Sequence, residues 1–106
     1  MTIKCLLAED DEAVREVMSL WLASRFPLEV VEVRSGNEAV ALLGVDSSFK
    51  LVITDINMPD GEGGVIVSYL KAKGLTPGLV PVIVCSTDSK NEHPELADCV
   101  EGFAQK

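Results

Sequence analysis

The chain has 106 residues, enough for one hydrophobic core and too few for two. With 47% hydrophobic and 25% charged residues it falls in the range of ordinary globular domains, which excludes intrinsic disorder. Seventeen Asp and Glu against nine Lys and Arg leave a net charge of −8, a balance that repels phosphate backbones and anionic membranes. Direct nucleic-acid binding is therefore not expected. Uninterrupted apolar runs are only a few residues long, and Met1-Thr2-Ile3-Lys4-Cys5 is no secretory signal, so no membrane span and no export are expected.

Residues 3–8 form a short apolar run, read as a first strand. Acids follow, and then an amphipathic helix in which Val14, Val17, Met18, Trp21 and Leu22 recur at helical spacing, predicting one buried stripe. Arg15, Glu16 and Ser19 take its other side, and Pro27 ends it. The β-branched residues 28–33 predict a second strand. Ser35-Gly36-Asn37-Glu38 matches a capping box and opens a helix through Leu43.

Residues 51–54 predict a third strand running directly into Asp55. A loop with Pro59, Gly61, Gly63 and Gly64 precedes a helix over residues 65–73, which Gly74 closes before a Pro77-Gly78 turn. Residues 80–85 are nearly all apolar and predict a fourth strand. A weaker helix over residues 91–100 contains Pro94, and residues 102–105 begin a fifth strand. Short, continuously apolar strands alternating with helices predict a parallel sheet covered on both faces. With right-handed crossovers this is an open, doubly wound α/β sandwich.

The cysteines are odd in number and show no C-x-x-C spacing, so Cys5, Cys85 and Cys99 read as reduced thiols of a cytoplasmic protein. His93 precedes Pro94 without a partner at ligand spacing and reads as a surface-loop residue.

In a doubly wound sheet the ligand site lies beyond the carboxyl ends of the strands. The first strand ends in Glu9-Asp10-Asp11, the third in Asp55, the fourth in Ser86-Thr87-Asp88 and the fifth in Lys106. Carboxylates, a hydroxyl and an ammonium thus converge on one edge of the sheet. Clustered carboxylates raise one another's pKa unless a cation intervenes. Oxygen donors without His or Cys favour Mg²⁺ over zinc or copper. Asp55 beside that cation could attack a phosphoryl group and form an acyl phosphate. Simpler roles stay open: Asp10 or Asp11 as helix cap, worth ~0.3–1 kcal/mol against the dipole, and Ser86 and Thr87 as turn hydroxyls. The glycines at 61, 63 and 64 make no dinucleotide fingerprint.

Over essentially its whole length the sequence resembles the receiver domain of two-component response regulators. The resemblance is carried by residues 4–11 (KCLLAEDD), 51–61 (LVITDINMPDG), 81–86 (PVIVCS) and 102–106 (GFAQK). It implies a flavodoxin-like five-stranded sheet of order 2-1-3-4-5 and a signalling module rather than a turnover enzyme. Asp55 then corresponds to the phospho-acceptor, and Glu9 and Asp10 to the acidic pair for Mg²⁺, with Asp11 as helix cap. Asn57 stands where a backbone carbonyl reaches the metal. Ser86 matches the switch hydroxyl, Lys106 the lysine that pairs with the phosphoryl group, and Phe103 the aromatic switch. The implied donor is a sensor histidine kinase or phosphotransfer protein.

The sequence departs from the family pattern at three points. Residues 86–106 are slightly fewer than usual, with Pro94 at the start of the fourth helix. Thr87 replaces the small residue usual after the switch hydroxyl. The family continues past Lys106 with a proline and a fifth helix, so residues 1–106 read as a receiver domain truncated after its fifth strand. The face that helix would cover is then a surface for dimerisation. Two other functions share part of this pattern. A Mg²⁺-dependent aspartyl-phosphate phosphatase would need an acid at position 57, where Asn57 cannot serve. A receiver-like scaffold acting without phosphorylation would not need the full set Glu9, Asp10, Asp55, Ser86 and Lys106.

Overall fold

The computed structural model describes residues 2–55, 63–75, 80–86 and 102–105. Its elements in chain order are β1 (Ile3–Ala8), α1 (Glu12–Arg25), β2 (Leu28–Val33), α2 (Gly36–Val45), β3 (Leu51–Asp55), α3 (Gly63–Ala72), β4 (Val82–Ser86) and β5 (Gly102–Gln105). The strands form one parallel sheet of order β2-β1-β3-β4-β5, the flavodoxin-like topology expected. The chain steps from β1 outward to β2, then returns across β1 to β3. That reversal opens a crevice between the carboxyl ends of β1 and β3.

Side chains of a strand alternate between the two faces; among the described residues α2 and α3 cover one face, and α1 covers part of the other. Leu6 and Ala8 of β1 join Val52, Val82 and Val84 on one face, where α2 and α3 supply Ala39, Ile66, Val67 and Leu70. Cys5 and Leu7 turn to the other face and meet Leu22 of α1 and Ile53. Complete burial of one such aliphatic side chain contributes ~1.5–3 kcal/mol. Burial also pushes the Cys5 thiol up to about 11.

The helix ends carry their own stop and start chemistry. Asp11 caps α1 by accepting a bond from the Val14 N–H at 3.1 Å, and Ser35 caps α2 by accepting one from the Glu38 N–H at 3.1 Å. At the end of α3, Gly74 takes a φ of 69°, open to glycine without a Cβ penalty. Its N–H bonds Lys71 O at 3.0 Å while the Leu75 N–H bonds Leu70 O at 2.9 Å, the paired closure of a Schellman motif.

Two expectations for α1 need correction. Of the predicted buried stripe only Leu22 is fully buried, at 8% exposure, with Val14 and Met18 half-buried. Val17 remains 66% and Trp21 50% exposed. The helix packs on β1 and β2, so its Val17–Trp21 flank is turned toward β3 and β4, where among the described residues no helix packs against it. That flank, with Phe26, Ile53 and Ile83, borders an apolar groove. Trp21 packs edge-on against Phe26 with ring centroids 6.0 Å apart, and Arg25 covers its ring. The second correction concerns Arg15, expected on the solvent side. Its side chain folds back to the end of β1.

The loop containing Asn57, Pro59 and Gly61, the Pro77-Gly78 turn, and residues 87–101 with the expected helix, Thr87, His93, Pro94 and Cys99 lie outside the described residues, as does Lys106. Among the described residues no helix is long and apolar enough to cross a membrane.

Candidate functional site

Ala8 of β1 pairs with Thr54 of β3, so the next residues on each strand, Glu9 and Asp55, emerge side by side at the crevice. Carboxylate oxygens of Glu9, Asp10 and Asp55 all lie within 4.8 Å of one another. Glu9 is 2% and Asp55 9% exposed, whereas Asp10 opens to solvent. Two of the three acids therefore sit in the protein wall and the third at its mouth.

The backbone around the cluster is held at several points. The Glu9 N–H bonds Val33 O at 3.1 Å, extending the β1–β2 pairing by one residue. Arg15 Nη1 donates to the Glu9 carbonyl at 2.9 Å. On β3 the buried Thr54 hydroxyl donates to the Asp55 carbonyl at 2.8 Å. Asp11 is engaged as the cap of α1 and stands apart from the cluster, the role expected for it.

Cys85 of β4 pairs with Asp55, which brings the backbone of Ser86, the last residue of that strand, to the same edge. Phe103 of β5 pairs with Val84. Of the remaining expected site residues, Asn57, Thr87 and Lys106 lie outside the described residues. Sequence reasoning missed Arg15 and Thr54. Neither carries a motif, and each acts through a main-chain carbonyl that no residue pattern announces.

Three carboxylates held this close repel one another and favour a bound cation. The donors are all hard oxygens, which suits an ion such as Mg²⁺ rather than a thiophilic metal. Oxygens around an octahedral ion with bonds of about 2 Å lie roughly 3–4 Å apart, and those of the cluster lie within 4.8 Å of one another. Glu9, Asp10 and Asp55 fit such an ion.

A doubly wound parallel sheet with an acidic pocket at its switch point defines the receiver class of signalling domains. Comparison with known proteins agrees: the response regulator receiver domain profile matches residues 5–103, and the chain belongs to that family. It is 38% identical over 71 residues to the transcriptional regulatory protein FlgR of Helicobacter pylori, covering 67% of this chain and 18% of FlgR. It is 31% identical over 90 residues to the two-component response regulator ORR42 of Oryza sativa subsp. japonica, covering 85% of this chain and 67% of ORR42. Among solved structures, the phosphorylated cyanobacterial phytochrome response regulator RcpA superposes with a TM-score of 0.82 at 30% identity, covering 100% of this chain and 81% of RcpA. The chemotaxis response regulator CheY4 of Vibrio cholerae gives 0.86 at 25% identity, covering 100% of this chain and 88% of CheY4. The chain is thus a receiver domain of two-component response regulators, a signalling module, and spans less than a fifth of FlgR.

Proposed function

We propose that residues 1–106 act as a phospho-acceptor domain, with Asp55 accepting a phosphoryl group from a phosphohistidine on a sensor kinase or phosphotransfer protein. The observation that carries this reading is the convergence of Glu9, Asp10 and Asp55 within 4.8 Å at the crevice. It is supported by the 30% identical RcpA, whose structure is that of a phosphorylated protein. In the transfer, an Asp55 oxygen lone pair forms the new P–O bond. The P–N bond breaks with its electron pair passing to the donor imidazole, which takes up a proton. Glu9, Asp10 and Asp55, with the Asn57 carbonyl, would hold Mg²⁺, which when bound offsets charge on the phosphoryl oxygens.

Ser86 supplies the hydroxyl that bonds the phosphoryl group and Lys106 the ammonium that pairs with it. Phe103 turns as Ser86 moves, which changes the partner-binding face, and Thr87 narrows access to the acceptor. The same groups let the domain catalyse its own phosphorylation from small acyl phosphates and its own dephosphorylation. The setting is cytoplasmic, and the acidic surface engages proteins rather than nucleic acid. The open apolar groove between α1 and the sheet, bordered by Val17, Trp21, Ile53 and Ile83, supports association of two copies through that side of the sheet.

Incubation with acetyl phosphate and Mg²⁺, followed by intact-mass measurement, tests the acceptor. One phosphoryl adduct is expected, absent in Asp55→Asn and without magnesium. Undiminished labelling of Asp55→Asn would overturn the assignment.

A further inference from the structure

The Glu9–Asp10 peptide joins the two acids of the pocket that come from β1, and its carbonyl is gripped from outside the sheet. Arg15 Nη1 donates to it at 2.9 Å. The same guanidinium lies with Nε 3.4 Å from Glu32 Oε1 on β2, and its side chain is only 12% exposed. The Arg15 N–H bonds Asp11 O at 2.8 Å, in the first turn of α1. One side chain thus ties the start of α1, the end of β1 and the end of β2.

A peptide unit is planar, so holding its carbonyl oxygen fixes the direction of the following N–H and Cα as well. The chain between Glu9 and Asp10 has left the β1–β3 register, which ends at Ala8 and Thr54. Without the Arg15 contact that peptide could rotate, and the two carboxylates would separate. The forked guanidinium suits the task because it reaches two acceptors at once, which an ammonium on a flexible stem does less well.

We propose that Arg15 is a positioning residue of the acidic pocket. It orients the Glu9–Asp10 peptide and presets both carboxylates for a divalent cation. This rests on the reading of the pocket as a Mg²⁺ site. Groups that orient metal ligands from outside typically change affinity by about 10–100-fold when removed.

The test is Mg²⁺ titration by calorimetry, well below the unfolding temperature, of the wild-type chain, Asp10→Asn, Arg15→Gln, Arg15→Lys and Met18→Ala. Met18→Ala loosens the same helix without touching Glu9, since Met18 packs on the Cys5–Leu22 cluster. Affinity should fall about 10-fold or more in Arg15→Gln, fall less in Arg15→Lys, hold in Met18→Ala, and vanish in Asp10→Asn. In the metal-free protein, amide exchange at Glu9, whose N–H bonds Val33 O, should accelerate in Arg15→Gln but not in Met18→Ala. Wild-type affinity in both Arg15 variants, with binding lost in Asp10→Asn, would overturn the role of Arg15 and leave the metal site standing. A wild-type chain that binds no Mg²⁺ would overturn the site and the role of Arg15 with it. Equal weakening in Met18→Ala would show a general loosening of α1 and overturn the proposal. Should Arg15→Gln not fold, the Arg15→Lys comparison decides by the same two readings.

Discussion

Lys4 and Asp46, 42 residues apart in sequence, form an ion pair that ties the start of β1 to the end of α2. The Lys4 ammonium also lies 4.9 Å from the centroid of the Phe49 ring, and Asp46 Oδ1 accepts the Ser48 N–H at 2.9 Å. This polar clasp closes the edge of the sheet opposite the acidic pocket. The Lys4 hydrogen bond, reinforced by Ser48, holds the Asp46 carboxyl well below the usual carboxylate range.

Its effect on stability has a definite sign. The folded-state pKa is depressed, so the contribution is complete above the unfolded carboxylate value of about 4 and fades as pH falls below it. Asp46→Asn should lower the urea midpoint at pH 7, and the gap to the wild type should close in stronger acid. A gap that stays constant down to pH 2 would count against the clasp.

Asp10 and Asp11 are neighbours with different work. Asp11→Ala should cost about 1 kcal/mol through loss of the α1 cap, read as a lower melting temperature, while Mg²⁺ affinity changes far less than in Asp10→Asn, because Asp11 stands outside the carboxylate cluster. Asp11→Ser should restore the melting temperature, because a hydroxyl also accepts from the Val14 N–H.

Magnesium should stabilise the fold by mass action, by about 2.7 kcal/mol at a free concentration one hundred times the dissociation constant. Chelation should reverse the gain. Asp10→Asn should lose the response, and its metal-free form should melt above metal-free wild type, because one of three crowded charges is gone. Differential scanning calorimetry with and without a chelator reads both effects.

Cys5 is fully buried, and that burial pushes its thiol up to about 11. The folded value is raised, so this contribution is complete below the unfolded thiol pKa of about 8.5 and is lost as pH rises toward the folded value. Iodoacetamide at pH 8 should leave Cys5 unmodified in native protein and alkylate it in urea, as mass spectrometry of the Cys5 peptide would record.

The two apolar flanks of α1 should differ sharply in energetic weight. Leu22→Ala should destabilise by about 2–5 kcal/mol, the cost of a vacated core site. Val17→Ser on the exposed flank should stay within about 0.5 kcal/mol in the monomer. Chemical denaturation of both variants at low protein concentration distinguishes them.

Much of the fold is legible in the sequence. The apolar runs ending at Ala8, Thr54 and Cys85 mark strands because both faces of a parallel sheet must be apolar. Ser35 and Gly74 mark helix ends through local chemistry that needs only a few neighbouring residues. The acids of the pocket were legible for the same reason, since Glu9, Asp10 and Asp55 directly follow predicted strands. Helical periodicity erred on Val17 and Trp21: it finds an apolar face but cannot say how much of that face the sheet meets.

What the sequence determined by itself was therefore the set of elements, the class of sheet and the residue types at its carboxyl edge. Each depends on interactions within a few positions of the chain. The family resemblance already implied β1 beside β3; only the tertiary structure decided the register that brings Glu9 and Asp10 to Asp55, and that Arg15 turns inward to the Glu9 carbonyl. Those relations join residues from different elements. They arise when strand pairing and helix packing are satisfied together, through distances and main-chain acceptors that no local pattern encodes.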